Sequence, residues 1–312
     1  DAFNRWESGQ TLATQILLDM TDQAKSGKAP SADTTYSAAI GQALERADED
    51  QAFTAQMLVP PLESELAMAM KVVDPDAIHT ARTALVRSLA ADHAPAFRAL
   101  YDRLAPDATF SPDAKAAGKR ALRNVVLRYV TAADDEAAAE IAETHYRQAT
   151  NMTDSIAGLA ALTRMNSKRR DAAFAHFYDR FQNDPLVLDK WMSLQASSPL
   201  PGVVDTVRVL MKHPVAFDLK NPNRVRSLLG AFAGNHLRFH AADGSGYALL
   251  GETTRTLDKI NPQVAARMAG AFEAWKRYDP ARQALMKAEL ESLTKLEGLS
   301  SNLFEVATRM LG

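Results

Sequence analysis

The sequence predicts an all-α fold, a superhelical solenoid of antiparallel helix pairs of the HEAT or armadillo kind. Apolar residues recur at spacings of three and four along nearly all 312 residues, and alternating runs of β-branched residues are missing. Helix starts of one kind also recur, such as Asp74-Pro75, Asp184-Pro185 and Asp279-Pro280. Pairs of about 35 to 40 residues therefore follow one another, and a compact helical bundle is the alternative architecture.

About sixteen helices are predicted in chain order. Asn4, with Glu7 three residues later, has the spacing of a capping box and is predicted to start the first helix. Pro60-Pro61 interrupts any helix and predicts a sharp corner. Two helices are predicted to begin at Asp184 and Asn221. The other predicted ranges are 37–48, 74–91, 94–104, 111–131, 134–150, 154–163, 169–181, 201–211, 246–259, 261–275, 279–296 and 301–310.

Composition limits the classes of function. Hydrophobic residues make up 46% of the chain, enough for a sizeable core, and a net charge of −2 gives no reason to expect a nucleic-acid partner. Cysteine is absent, so a metal site could use only His, Asp and Glu. No apolar run approaches the roughly 20 residues of a membrane span, and a cytoplasmic location is predicted. No linker divides residues 1–312, which are predicted to form a single domain.

The first residue is Asp1 rather than an initiator methionine, and a helix is predicted almost at once. A secretory signal peptide would need a basic region followed by an apolar stretch, and the start has neither. We therefore expect the chain to be part of a longer polypeptide.

The least generic stretch is AFDLKNPNRVRSLLGAFAGNHLRFHAADGSGYALL. Asn221-Pro222 predicts a helix start, because Asn is a good N-cap and Pro suits the first helical position. Arg224 and Arg226 lie in the first turn of that helix. Gly230 and Gly234 are predicted to end it in a left-handed conformation.

Arginines are the candidate binding residues of this chain. Arg226 lies among apolar Val225, Leu228 and Leu229, and Arg267 lies in the apolar stretch VAARM. A guanidinium group binds carboxylates through two parallel hydrogen bonds. The sequence leaves two alternatives open, a role toward a ligand and a structural salt bridge.

His236 and His240 stand four residues apart, which on a helix would place both imidazoles on one face, where they could grip zinc. The zincin motif needs a Glu directly after the first His, and Leu237 stands there instead. We expect a pair of polar residues on a loop and no metal site. Nucleophile elbows and nucleotide-binding motifs are also absent, so no complete catalytic set is found.

Long stretches of the chain resemble the C-terminal helical domain of the bacterial aminopeptidase N family, which belongs to the M1 zinc metallopeptidases. The resemblance covers essentially all 312 residues. The stretches that carry it include FNRWESGQ, DKWMSLQASS, HPVAFDLKNPNRVRSLLGAFAGN, DGSGYALL, INPQVAARM, WKRYDPARQ and LEGLSSNLFE.

The resemblance implies an accessory role. The family's zinc site, GAMEN motif and HExxH motif belong to a catalytic domain, and the present sequence contains none of them. This chain is therefore expected to lack catalytic residues and cofactors, and to cap the zinc-bearing catalytic domain of the same polypeptide around a chamber that admits short peptides. Arg226 and Arg267 match arginines that face the peptide channel; Arg224 is a third candidate that could instead pair structurally. The alternative is a freestanding helical-repeat module that binds peptides or proteins without catalysis.

Overall fold

The computed structural model describes residues 1–32, 34–107 and 109–312, and all regular elements of these residues are helical. Val73 and Tyr278 form an isolated parallel bridge, but no strand is present among the described residues. The predicted all-α class is therefore confirmed. None of the helices in this part of the chain has the length and apolar character that a membrane crossing requires.

Nineteen α-helices are present in the described residues, where about sixteen were predicted. The first ten are α1 Ala2–Lys25, α2 Thr34–Glu45, α3 Gln51–Met57, α4 Glu63–Ala69, α5 Pro75–Asp92, α6 Ala94–Arg103, α7 Ala114–Val130, α8 Glu136–Gln148, α9 Met152–Leu162 and α10 Lys168–Phe181. The others are α11 Pro185–Ala196, α12 Val203–Leu210, α13 Pro222–Val225, α14 Ala231–Ala233, α15 His236–Phe239, α16 Ser245–Asp258, α17 Pro262–Ala269, α18 Pro280–Thr294 and α19 Ser301–Leu311. A π-helical turn, Arg226–Gly230, separates α13 from α14, and two 3-10 turns, Gly270–Phe272 and Trp275–Arg277, follow α17.

The fold divides into two compact units. Unit 1 comprises Asp1–Met70 and Asp76–Ala173, and unit 2 comprises Lys71–Pro75 and Phe174–Gly312. In unit 1, α3 and α6 pack against α7, and α8 packs against α9; in unit 2, α16 and α19 pack against α17, and α18 packs against α19. Helices close in the chain thus pack together, as repeats of helix pairs require. That residues 1–312 act as a single domain stays a prediction.

Several helix starts have the cap that the sequence predicts. Asp184, Asn221, Asn261 and Asp279 each stand at an N-cap, and a proline follows each at the start of the helix. Their side-chain oxygens accept hydrogen bonds from backbone N–H groups of the first turn, which have no partner inside the helix. These caps fix where unit 2 changes direction.

Several predicted starts are wrong by a few residues, and two of them show the cause. The first helix is capped by Asp1, whose carboxylate accepts from the Asn4 N–H at 2.8 Å, so Asn4 lies inside the helix. The helix predicted to begin at Ser111 is capped by Asp113, which accepts from the Ala116 N–H at 2.9 Å. In both places an aspartate close by takes the capping role.

Trp191 lies in the core of unit 2. Only 8% of it is exposed, and its indole N–H donates to the Phe174 carbonyl at 3.0 Å. A second aromatic cluster in the same unit joins Phe232, Phe239 and Phe272, with ring centroids about 6 Å apart along the series. This cluster anchors the chain on both sides of Arg267.

Candidate functional site

The helix that begins after the Asn221 cap changes its winding at Arg226. Pro222–Val225 is α-helical, Arg226–Gly230 forms the π turn, and Ala231–Ala233 is α-helical again. Such turns are rare inside α-helices, and where they occur they often lie at functional sites. The buried residues that anchor this one are Val225, Leu228, Leu229 and Phe232.

The predicted left-handed helix end at Gly230 and Gly234 is wrong. Both residues have right-handed helical conformation, with φ of −65° and −78°. The helix continues through Gly230 because the π turn absorbs the change in winding there. It ends at Gly234, and Asn235 caps the next short helix by accepting from the Arg238 N–H at 3.2 Å.

Arg226 is exposed at the start of the π turn, and its guanidinium makes no hydrogen bond or ion pair within the described residues. Its stem runs beside Gly230, where an added Cβ would lie 3.5 Å from Arg226 Cγ and 4.0 Å from Met268 Cε. These are ordinary van der Waals distances, and they place the Arg226 stem and Met268 of α17 beside the same residue. Arg267 is the residue directly before Met268 in that helix.

Arg267 lies in the last turn of α17, which the Asn261 cap begins. Ala265, Met268 and Ala269 of this turn are buried, so the helical spacing turns Arg267 outward, and its side chain is exposed. It too has no hydrogen bond or ion pair within the described residues. A cation at this end of a helix is favoured by the helix dipole, so the charge can be kept without an acidic partner.

Arg224 has a different environment. It is 8% exposed, and its Nη1 donates to Asp189 Oδ1 at 2.8 Å and to the Pro185 carbonyl at 2.7 Å. The structure thus gives Arg224 the structural ion pair that the sequence left open, and its role toward peptides stays a prediction. Sequence reasoning missed Asp189 because it lies 35 residues away, with no local signal of the pairing.

The expectation that His236 and His240 form a polar pair on a loop is wrong, because His236 begins α15 and His240 is its buried C-terminal cap residue. His240 is 6% exposed; its Nδ1 lies 2.9 Å from the Tyr247 hydroxyl and its Nε2 lies 2.8 Å from the Tyr278 hydroxyl. Burial, His236 and Arg282 lower the pKa of His240 to about 3, so the ring is neutral at physiological pH. The cluster is a buried polar network that stabilises unit 2.

This network does not fit a zinc ion. Both ring nitrogens of His240 are hydrogen-bonded to tyrosine hydroxyls, so the one lone pair of the neutral ring is already used and is not free for a metal. Within the described residues, no group of three or more His, Cys, Asp or Glu side chains could hold a metal ion. The two tyrosines could not be predicted as partners, because Tyr278 stands 38 residues after His240.

Comparison with known proteins decides the family. A sequence family described as "Domain of unknown function (DUF3458_C) ARM repeats" matches residues 1–312. The chain belongs to this family. The ARM-repeat description confirms the helical-repeat class predicted from the spacing of helix starts.

Proteins similar to this chain include aminopeptidases. The chain is 38% identical to "Aminopeptidase N" of Caulobacter vibrioides over 317 residues, covering 100% of this chain and 36% of that protein. It is 38% identical to "Aminopeptidase N" of Escherichia coli, covering 99% of this chain and 35% of the relative. A crystal structure of Legionella pneumophila aminopeptidase A in complex with aspartic acid superposes with a TM-score of 0.89 at 29% identity, covering 100% of this chain and 37% of that one.

These matches confirm the resemblance to the aminopeptidase N family. The chain spans little more than a third of the relatives' length, and the part that it matches is C-terminal. The family thus places the two exposed arginines, Arg226 and Arg267, in the C-terminal helical part of a larger polypeptide's fold.

Proposed function

We propose that this chain is the C-terminal, non-catalytic part of a zinc-dependent M1 aminopeptidase that removes N-terminal amino acids from short peptides. The observation that carries the proposal is the full-length match of this chain to about 36% of an aminopeptidase N. Its partner is the catalytic domain of the same polypeptide, which carries the zinc ion, and its compartment is the cytoplasm. Its task is to cap that domain and to enclose the active-site chamber.

Arg226 and Arg267 supply positive charge to the peptide channel in this proposal. Both side chains are exposed and have no acidic partner within the described residues, whereas Arg208 and Arg255 of the same unit are paired with glutamates. A guanidinium without a partner can bind a peptide carboxylate or carbonyl through charge-assisted hydrogen bonds. The attraction is stronger in an enclosed chamber, where less water screens it.

The accessory role is tested by activity on an alanyl amide. This chain is assayed alone and after mixing with the separately prepared remainder of the aminopeptidase. We expect no hydrolysis by the chain alone, and faster hydrolysis by the mixture than by the remainder alone. Hydrolysis by the chain alone would contradict the proposal, and a remainder unaffected by mixing would favour a freestanding binding module.

The arginine role is tested in the full-length enzyme with Arg226→Ala and Arg267→Ala. Each variant should lower kcat/KM about tenfold to a hundredfold for a peptide with a free C-terminal carboxylate, since a hydrogen bond to a charged group contributes about 1.5–3 kcal/mol. The control substrate is the same peptide with a C-terminal carboxamide, whose kcat/KM should change much less. Equal losses for both substrates would contradict a carboxylate-binding role.

Arg224→Ala separates binding from folding in the same series. Removing this side chain leaves Asp189 and the Pro185 carbonyl without their donor, so we expect the free energy of unfolding to fall by about 3 kcal/mol. Arg226→Ala should change it by less than about 0.5 kcal/mol, because its exposed side chain has no partner to lose. Urea unfolding of the three variants therefore shows whether a loss of activity is a loss of fold.

A further inference from the structure

Asp134 lies between α7 and α8 of unit 1 and is surrounded by arginines. Its backbone is left-handed, with φ of 55°, an uncommon conformation for a residue with a side chain. Its Oδ1 accepts from Arg164 Nε at 3.0 Å and lies 3.9 Å from Arg128 Nη1, and its Oδ2 lies 3.6 Å from Arg87 Nη2. The sequence predicted that α8 begins at Asp134, and this is wrong: the cap of α8 is Asp135.

Positive charge exceeds negative charge around this carboxylate. A fourth arginine, Arg82, lies close enough to act electrostatically on both Arg128 and Arg164. The acidic group that acts on Arg128 and Arg164 is Asp134, while the neighbouring Tyr129 is buried and its pKa is raised, so it stays neutral. The guanidinium groups of Arg87, Arg128 and Arg164 thus lie within 4 Å of one carboxylate, and that of Arg82 lies near the last two.

Three of the four guanidinium groups are fixed by neutral acceptors. Arg82 Nε donates to the Pro61 carbonyl at 2.7 Å, Arg87 Nε donates to the Ala132 carbonyl at 3.1 Å, and Arg164 Nη2 donates to the Thr131 hydroxyl at 3.0 Å. These bonds hold the cations together against their mutual repulsion. They also fix the orientation of each guanidinium group, and with it the direction of its remaining N–H groups.

Arg128 is the exception. Its Nη1 is buried and donates to no acceptor within the described residues, because Asp134 is too distant for a hydrogen bond. Burial and the charge of Arg164 lower the pKa of Arg128 to about 9, so it remains charged at neutral pH. A buried charged donor without an acceptor is unfavourable, and an incoming anion would relieve both the unmet hydrogen bond and the repulsion.

We propose that Arg82, Arg87, Arg128 and Arg164 form a binding site for a small oxyanion, a carboxylate or a phosphate, which accepts from Arg128 Nη1. Planar guanidinium forks bind both groups through two parallel hydrogen bonds. The edge of the site is open to solvent, because 54% of the Arg87 side chain and 25% of the Arg128 side chain are exposed, while Arg128 Nη1 itself is buried and is reached only by an anion that enters between these side chains. The site lies in unit 1 and is separate from Arg226 and Arg267, which belong to unit 2.

The test is calorimetric titration of the full-length protein with inorganic phosphate and, separately, with acetate, at an ionic strength held constant with sodium chloride. We expect saturable binding of at least one anion, and the tighter of the two identifies the ligand class. Arg128→Gln should weaken that binding at least tenfold. Absence of saturable binding for both anions would overturn the proposal, as would an unchanged affinity in Arg128→Gln.

Two further variants separate anion binding at this site from effects of net charge and of folding. Arg98→Gln is the matched control, because Arg98 is an exposed arginine of unit 1 that pairs with Asp102 at 3.0 Å, and its loss changes net charge equally. Its anion affinity should equal that of the parent protein, and a loss equal to that of Arg128→Gln would indicate a net-charge effect and overturn the site. Arg128→Lys keeps the positive charge but lacks the planar fork, and it serves as the test if Arg128→Gln does not fold. The proposal predicts that Arg128→Lys binds the anion more weakly than the parent protein does. An affinity equal to that of the parent protein would overturn two-point binding.

Discussion

At the residue scale, each unit buries a neutral histidine against a tyrosine hydroxyl. In unit 1, His145 Nδ1 lies 2.9 Å from the Tyr101 hydroxyl, and the histidine is fully buried. Burial and the nearby Arg123 charge lower the pKa of His145 to about 4, and the pKa of His240 in unit 2 is lowered to about 3. Both folded histidines therefore take up a proton only at a pH well below the pKa of an exposed histidine.

Stability should therefore decline in mild acid. A histidine in the unfolded chain has a pKa near 6.5. Below that pH the unfolded chain therefore binds more protons than the folded chain does. The stabilising effect is complete above about pH 6.5 and is lost as pH falls toward the folded values of about 4 for His145 and about 3 for His240. Each histidine should contribute about 1.4 kcal/mol per pH unit to the slope of unfolding free energy in this window.

Urea unfolding of His240→Gln across this pH range measures the contribution of one histidine. The variant should lose about 1.4 kcal/mol per pH unit of slope between roughly pH 6 and 4, whatever its absolute stability. A slope equal to that of the parent protein would mean that His240 takes up a proton in the folded state.

The different environments of Arg224 and Arg226 were only partly predictable from the sequence. Residues two apart on a helix point about 200° apart, so the two side chains could not share one face. The apolar spacing did not reveal which of them faces inward, because the choice depends on Asp189, 35 residues earlier. Residue types and helical period predict a candidate, and tertiary partners decide its role.

At the scale of elements, α8 and α9 of unit 1 pack closely against each other. A Cβ added to Gly158 of α9 would lie 2.7 Å from the backbone nitrogen of Tyr146 and 2.8 Å from its Cα. Backbone atoms cannot rotate away as a side chain would. Gly158 therefore sets how near the two helices approach, and the buried Tyr146 depends on that distance.

Gly158→Ala should separate these two helices and destabilise the protein. We expect the free energy of unfolding to fall by about 1–3 kcal/mol, as overpacking of a core does. The matched control is Gly270→Ala: an added Cβ at Gly270 meets nothing within 4 Å, and its φ of −53° suits alanine. The control should be neutral or gain up to about 1 kcal/mol, and equal destabilisation of both variants in thermal and urea unfolding would contradict the packing argument.

Helix starts could be predicted from sequence more readily than the π turn. A cap such as Asn221 or Asp279 acts on backbone groups two or three residues away, so the signal is local. The π turn depends on α11, which packs against it and whose Ser193 hydroxyl donates to the Ser227 carbonyl at 2.7 Å. The spacing of apolar residues within the turn does not predict that contact.

At the scale of the whole molecule, fold class and family were both predictable, because each depends on a pattern spread over the full chain. Six recurring helix starts predict the repeat, and long stretches in the same order indicate the family. The internal division was not predicted. Short connections gave no sign of it, whereas packing separates two compact units within residues 1–312. Tyr101 stands 44 residues from His145, and Tyr278 stands 38 residues from His240, which explains why neither pairing was visible in the local sequence.

The last prediction concerns the metal content of the whole chain. If zinc belongs to the catalytic part of a larger aminopeptidase, this chain purified without a chelator should contain far less than one equivalent of zinc, measured by elemental mass spectrometry. The physical reason is that a zinc site needs at least three protein ligands with free lone pairs, and His240 already uses both ring nitrogens with Tyr247 and Tyr278. Added zinc should also leave the melting temperature unchanged, since a metal that does not bind the folded state cannot stabilise it. One equivalent of zinc that disappears in His240→Ala would contradict this account, because the tyrosine hydrogen bonds would then have to open to admit the metal.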